Sequence, residues 1–116
     1  MSSDGFSVPG SSPTPATPTV FFERREFDLL LRLYGRMVAA GEWRDYAISG
    51  LADRAVFAVY RRASEQPLYR IEKTPALANR QGAWAVIGAG QITLRRGREL
   101  EQVLKVFDTR KFRVVE

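Results

Sequence analysis

Arginine carries most of the chemistry this chain offers: of its 18 basic residues 15 are arginine and three lysine. Arg95, Arg96 and Arg98 crowd the start of an expected helix. Unpaired backbone N–H groups and the positive end of a helix dipole gather there and favour an anion such as a phosphate. Arg25, Arg32 and Arg36 fall on one face of an earlier expected helix, with Asp28 placed to pair with Arg32 at the i,i+4 spacing. These six arginines are the expected anion-binding or nucleic-acid-binding residues. A structural role competes at each position: Glu99 and Glu101 follow Arg98 at once, and a basic helix face is more often simply solvated. Among carboxylates the densest group is Glu42-Trp43-Arg44-Asp45-Tyr46. As an acid–base site it needs a pocket that shifts a carboxylate pKa, whereas as structure it is an ion pair fixing helix to sheet, the weightier reading. Tyr60-Arg61-Arg62 and Tyr69-Arg70 interleave aromatic and basic residues as single-stranded bases require, but two tyrosines at the edge of a core explain the same pattern.

The sequence contains no histidine and no cysteine. Hydrolases built around an imidazole base are thereby excluded, as are thiolate nucleophiles, disulfides, and zinc or haem sites of the usual ligand types. No phosphate-loop motif occurs. Gly88-Ala89-Gly90 lacks the third glycine and the following helix of a dinucleotide fingerprint, and reads as a turn. No catalytic residue, cofactor or metal is therefore expected, and an enzyme using carboxylates and arginines is the least favoured functional class.

Positioning these residues requires a fold, and the composition supports one. With 116 residues, 45% hydrophobic and 27% charged, the chain matches an ordinary globular protein with room for one domain and one core. Residues 1–20 are an expected disordered tail, rich in serine, threonine and proline and too poor in apolar residues to offset their ordering entropy. Residues 21–116 form the expected single α+β domain. All 18 basic residues lie in it and Asp4 lies in the tail, so the domain carries a net charge of +6. This mildly favours an anionic partner, although an arginine-rich, alanine-rich composition also follows from a GC-rich genome. Neither a signal peptide nor a membrane-length apolar run is found, so a cytoplasmic location is expected.

Along the domain, an apolar arc of Phe27, Leu30, Leu31, Tyr34, Val38 and Gly41, widened by Leu29, Leu33 and Met37, predicts a helix from about Glu23 to Ala40. Glu23 and Glu26 suit its start and Gly41 its end. Period-2 alternation then predicts a half-buried strand over Trp43–Ser49. Ala55–Tyr60, apolar on both faces, predicts a central strand, and Leu68–Lys73 a third. Ala83–Ile87 and Gln91–Arg95 predict a hairpin about the Gly88-Ala89-Gly90 loop. A second helix is expected from roughly Arg98 to Phe107, with a possible terminal strand at Phe112–Val115. The expected fold is α+β: a mainly antiparallel sheet of about five strands packed by two helices, in the order helix, three strands, hairpin, helix.

The segments LYGRMVAAGEWRDYAI (33–48), DRAVF (53–57) and PLYRIEK (67–73) resemble a family of small alphaproteobacterial proteins catalogued as a domain of unknown function. The resemblance covers about Phe22 to Phe107. It implies a bacterial cytoplasmic setting and a one-domain fold, and transfers no catalytic or binding residue. The leading expectation is a non-enzymatic accessory protein that binds a protein partner or a second copy of itself. Binding of an RNA or DNA phosphate backbone through the arginines comes second.

Overall fold

A computed structural model of the chain describes residues 19–62 and 66–115. The tail expected over residues 1–20 lies outside the described residues as far as residue 18. Helix α1 (Arg24–Ala39) leads into strands β1 (Asp45–Gly50), β2 (Ala55–Tyr60), β3 (Tyr69–Lys73), β4 (Trp84–Ile87) and β5 (Thr93–Gly97), and helix α2 (Leu100–Val115) follows. The strands form one antiparallel sheet in chain order, so each pairs with its sequence neighbour. This is the expected α+β architecture, with short connections between neighbours.

The registers sort the side chains onto two faces. Tyr46, Ile48 and Gly50 lie opposite Val59, Phe57 and Ala55; these in turn oppose Tyr69, Ile71 and Lys73, and Ile71 and Lys73 oppose Val86 and Trp84. This face carries the core, where Leu30, Phe57, Val59, Ile71, Val86, Val103 and Phe107 are fully buried. Phe107 of α2 meets Trp43 and Tyr69 edge-on, with ring centroids 5.2 and 5.0 Å away. The apolar arc of α1 is centred on Leu30, Leu33 and Met37, while Val38, placed centrally by the sequence pattern, is exposed.

Helix α1 begins where Glu26 accepts a hydrogen bond from the Glu23 backbone N–H at 2.8 Å, half of a capping box. It ends at Gly41, whose φ of 79° lets the Glu42 N–H return to the Met37 carbonyl and the Gly41 N–H to Val38. Ahead of α1 the chain crosses the core face of the sheet at one end. Val20 N–H donates to the Leu51 carbonyl at 2.8 Å, the Phe21 carbonyl accepts from Lys73 Nζ at 3.2 Å, and Phe22 stacks on Trp84. Val20, assigned to the tail by composition, is thus part of the domain.

Three further expectations are corrected. The possible terminal strand at Phe112–Val115 is helix, because α2 continues to Val115; nothing between Asp108 and Val115 is a glycine or proline able to stop it. The turn after β4 is longer than Gly88-Ala89-Gly90: Gly90 and Gln91 both adopt positive φ, the Gly88 N–H reaches Ile92, and β5 starts only at Thr93. Strand β1 is an edge strand, exposed at every position, not half-buried.

Candidate functional site

The six arginines singled out by spacing do not form one continuous patch. Alternation along β5 sends Arg95 and Arg96 to opposite faces of the sheet, and the helix around whose start they were expected begins later, at Leu100. Arg96 Nη1 lies 3.5 Å from the Gly82 carbonyl. Arg25 and Arg98 line one cleft at the start of α2, but Glu26, Glu99 and Glu101 line it too, and Arg25 pairs with Glu101 at 3.8 Å. Arg32 and Arg36 border the groove between α1 and α2 opposite Glu101 and Asp108, and Arg36 lies 3.5 Å from Asp108. The basic stripe of α1 therefore faces Glu101 and Asp108 of α2, with Lys105 on the same side. These exposed pairs contribute little stability each, yet they answer much of the charge that an external phosphate would otherwise meet.

Spacing did not reveal a second basic group. Arg44, Arg61 and Arg62 line a cavity of about 450 Å³ together with Val38, Gly41, Glu42 and Trp43, beside the start of β1. Glu42 is the one carboxylate among these lining residues, 3.9 Å from Arg61. The Glu42–Asp45 cluster is accordingly a tie between the α1–β1 turn and the end of β2. Trp43 within it is a core residue.

The other face of the sheet carries a polar chain absent from any linear motif. Glu72 is only 8% exposed, and its carboxylate receives Arg54 Nη1 at 3.3 Å and Arg70 Nε at 3.1 Å. Arg70 Nη2 continues to Gln91 Oε1 at 2.6 Å. Charge-assisted bonds of this kind tie strand β3 to the β1–β2 turn and the β4–β5 loop. Among the described residues no group of three or more acidic side chains is placed to hold a metal ion.

Apolar exposure is concentrated elsewhere. Tyr46 is 40% and Ile48 46% exposed, and both sit on the core face of β1, where Tyr46 also stacks on Phe57 at 5.1 Å. Leu51 follows at the strand's end, Phe21 lies on the crossing segment bonded to it, and Val38 stands on the last turn of α1. Tyr34 anchors this side of α1: its ring meets Tyr46 edge-on at 4.8 Å, and its hydroxyl donates to the Arg44 carbonyl at 2.6 Å. Burial raises the Tyr34 pKa above its ordinary value, helped by the nearby Asp45 charge and by Tyr46.

Among the described residues the outer edge of β1 is equally open. The Leu51 N–H bonds the Arg54 carbonyl at 2.8 Å, in the same register as the β1–β2 ladder. The residues of β1 that bond inward are therefore the odd-numbered ones. The N–H and C=O groups of Tyr46, Ile48 and Gly50 point away from the sheet. By contrast the other edge, β5, carries Arg95 and Arg96 and an irregular register at Val86/Ile87, devices that discourage pairing.

Residues 20–104 match a family described as proteins of unknown function, DUF2794. The chain belongs to this family. The matched region starts at Val20, where the crossing segment bonds Leu51, and takes in the whole sheet, α1 and the first turn of α2. The exposed β1 edge and the Arg44–Arg61–Arg62 cavity lie within it, whereas Asp108, the partner of Arg36, lies beyond. No curated protein and no solved structure matches the chain. Among the described residues no helix is long and apolar enough to cross a membrane.

Proposed function

We propose that this chain is a small non-enzymatic accessory protein of the bacterial cytoplasm that works by binding protein, and that its contact surface is the β1 edge. One observation carries the reading: exposed apolar side chains, Val38, Tyr46, Ile48 and Leu51, lie along the strand whose outward backbone groups have no partner among the described residues. Main-chain hydrogen bonds of an added strand provide affinity in such contacts, and alternate side chains provide selectivity. The lack of histidine and cysteine fits the same reading. A photo-crosslinking residue at Ile48, compared with one at the exposed Arg80 on the far loop, tests it in living cells. A discrete protein adduct is expected from position 48 and not from position 80. Equal, diffuse labelling at both positions refutes the reading.

A second reading, phosphate-backbone binding, is favoured by the cavity that Arg44, Arg61 and Arg62 line together with Glu42. The cleft holding Arg25 and Arg98, and Arg95 and Arg96 on β5, offer weaker footholds. Binding to a mixed-sequence RNA should then weaken steeply with salt, and Arg44→Glu with Arg61→Glu should abolish it. A chain that shifts no RNA at low salt excludes this reading.

A further inference from the structure

We infer that the occupant of the β1 edge is a second copy of this chain, paired antiparallel to the first about a two-fold axis through Ala47. The inference rests on the protein-contact reading above and names its partner.

The two sheet edges differ in kind. Strand β5 is guarded by two arginines and a register irregularity, whereas β1, of sequence DYAISG, carries the single charge of Asp45 and no bulge against β2. A bare edge of this sort is a template for another strand. Its hydrogen-bonding phase decides how a copy can add. A two-fold axis perpendicular to the sheet keeps each face continuous, so residues of like parity must oppose one another. Centred on Ala47, the pairing sets Tyr46 against Ile48 of the second copy and Ile48 against its Tyr46. These are the residues whose N–H and C=O groups point outward, so both pairs close as hydrogen-bonded pairs.

The side chains agree with this register. On the core face, each exposed Tyr46 ring gains an aliphatic partner in the other copy's Ile48, a favourable cross-strand combination. The apolar layer that ends at Tyr46 and Val38 in one chain then continues into the next. On the opposite face, Asp45 meets Ser49 of the second copy, a carboxylate against a hydroxyl donor, and the two Asp45 carboxylates stay apart. At the axis the two Ala47 residues meet at a non-hydrogen-bonded position, where strands approach most closely and a small side chain fits. Moving the centre to Asp45 would oppose two like charges, which is unfavourable. Moving it to Ile48 would bring in Gly50, which the carbonyl of Val20 already crowds on its core side.

The absence of cysteine in the sequence makes the register directly testable, because any introduced thiol is the only one. In this pairing the two Ala47 Cα atoms lie about 4.5 Å apart, within the span of a disulfide. The two Ser49 positions are separated by four residues along the pair, roughly 13 Å at about 3.3 Å per residue. The full chain should show twice the monomer mass in size-exclusion chromatography with light scattering, and Ile48→Lys should return it to the monomer with an unchanged circular-dichroism spectrum. Mild oxidation should link Ala47→Cys into a covalent dimer and leave Ser49→Cys unlinked. A monomeric wild-type chain overturns the inference, as does a dimer indifferent to Ile48→Lys, or linking of Ser49→Cys as fast as Ala47→Cys. A monomer that still forms a discrete adduct with a different protein from position 48 overturns self-pairing alone, while the absence of any adduct removes the wider reading as well.

Discussion

Lys73 Nζ lies 2.7 Å from Glu26 Oε1, and both side chains are about one-seventh exposed. The same carboxylate oxygen accepts the Glu23 backbone N–H that starts α1, and the same ammonium bonds the Phe21 carbonyl and stands 5.9 Å over the Trp84 ring. A single ion pair thus joins the crossing segment, the first turn of α1 and the centre of the sheet. Removing one partner leaves a largely desolvated charge, so Glu26→Ala and Lys73→Ala should each cost about 2–3 kcal/mol in urea denaturation. The double variant should cost less than their sum. Additive losses would show that the two side chains stabilise the fold independently.

Glu72 supports the opposite face in a comparable way. Its carboxylate is shared by Arg54 and Arg70, which reach it from the β1–β2 turn and from its own strand. Glu72→Gln keeps the shape but removes the charge that both guanidiniums face, and a loss of about 1–3 kcal/mol is expected. Arg54→Met and Arg70→Met should each be milder, since the other arginine still satisfies the carboxylate. Chemical denaturation of the three variants checks the ranking.

Elements that rest on local period were legible in the sequence. Helix α1, the apolar strand Ala55–Tyr60 and the strand ending at Lys73 all follow from local patterning. What local spacing cannot encode is which face finds cover. Val38 lies in the apolar arc of α1, yet the sheet presents its core on the Leu30–Leu33–Met37 side, so Val38 stays outside. Strand β1 alternates well enough, but alternation does not reveal an edge position. Arg95, Arg96 and Arg98 crowd the expected helix start in the sequence, but Arg95, Arg96 and Gly97 extend the sheet and α2 begins only at Leu100. The crossing segment did leave one trace, the adjacent Phe21 and Phe22 just ahead of the helix start at Glu23, apolar where a tail would be polar. The Glu72 network left none, since Arg54, Glu72 and Gln91 meet only through strand order.

Gly82 sits where two connections converge. Its φ is 100°, and a Cβ there would fall 2.3 Å from the Gly97 carbonyl oxygen at the end of β5. Backbone strain and a backbone clash act together, so Gly82→Ala should destabilise the chain by about 2 kcal/mol or more. Gly35→Ala is the matched control, with nothing near its added methyl and a helical position that favours alanine. It should leave stability unchanged or raise it slightly. A thermal melt of both variants decides the point, and equal midpoints would mean that the loop before β4 yields without cost.

Tyr34 makes stability depend on alkaline pH. Its folded-state pKa is raised, first by burial and then by Asp45 and Tyr46, so the folded chain holds the phenolic proton more tightly than the unfolded chain does. Below the ordinary tyrosine pKa of about 10 both states are protonated and the contribution is fully present. As pH rises past that value the unfolded chain ionises first, and stability falls until the folded-state pKa is passed. Ionisation also removes the proton that the hydroxyl donates to the Arg44 carbonyl. Urea midpoints measured from pH 8 to pH 11 should therefore decline more steeply for the wild-type chain than for Tyr34→Phe. The variant should itself be weaker at pH 8 by about 1 kcal/mol for the lost hydrogen bond. The two curves should converge at the alkaline end; parallel curves would place the alkaline loss on other groups.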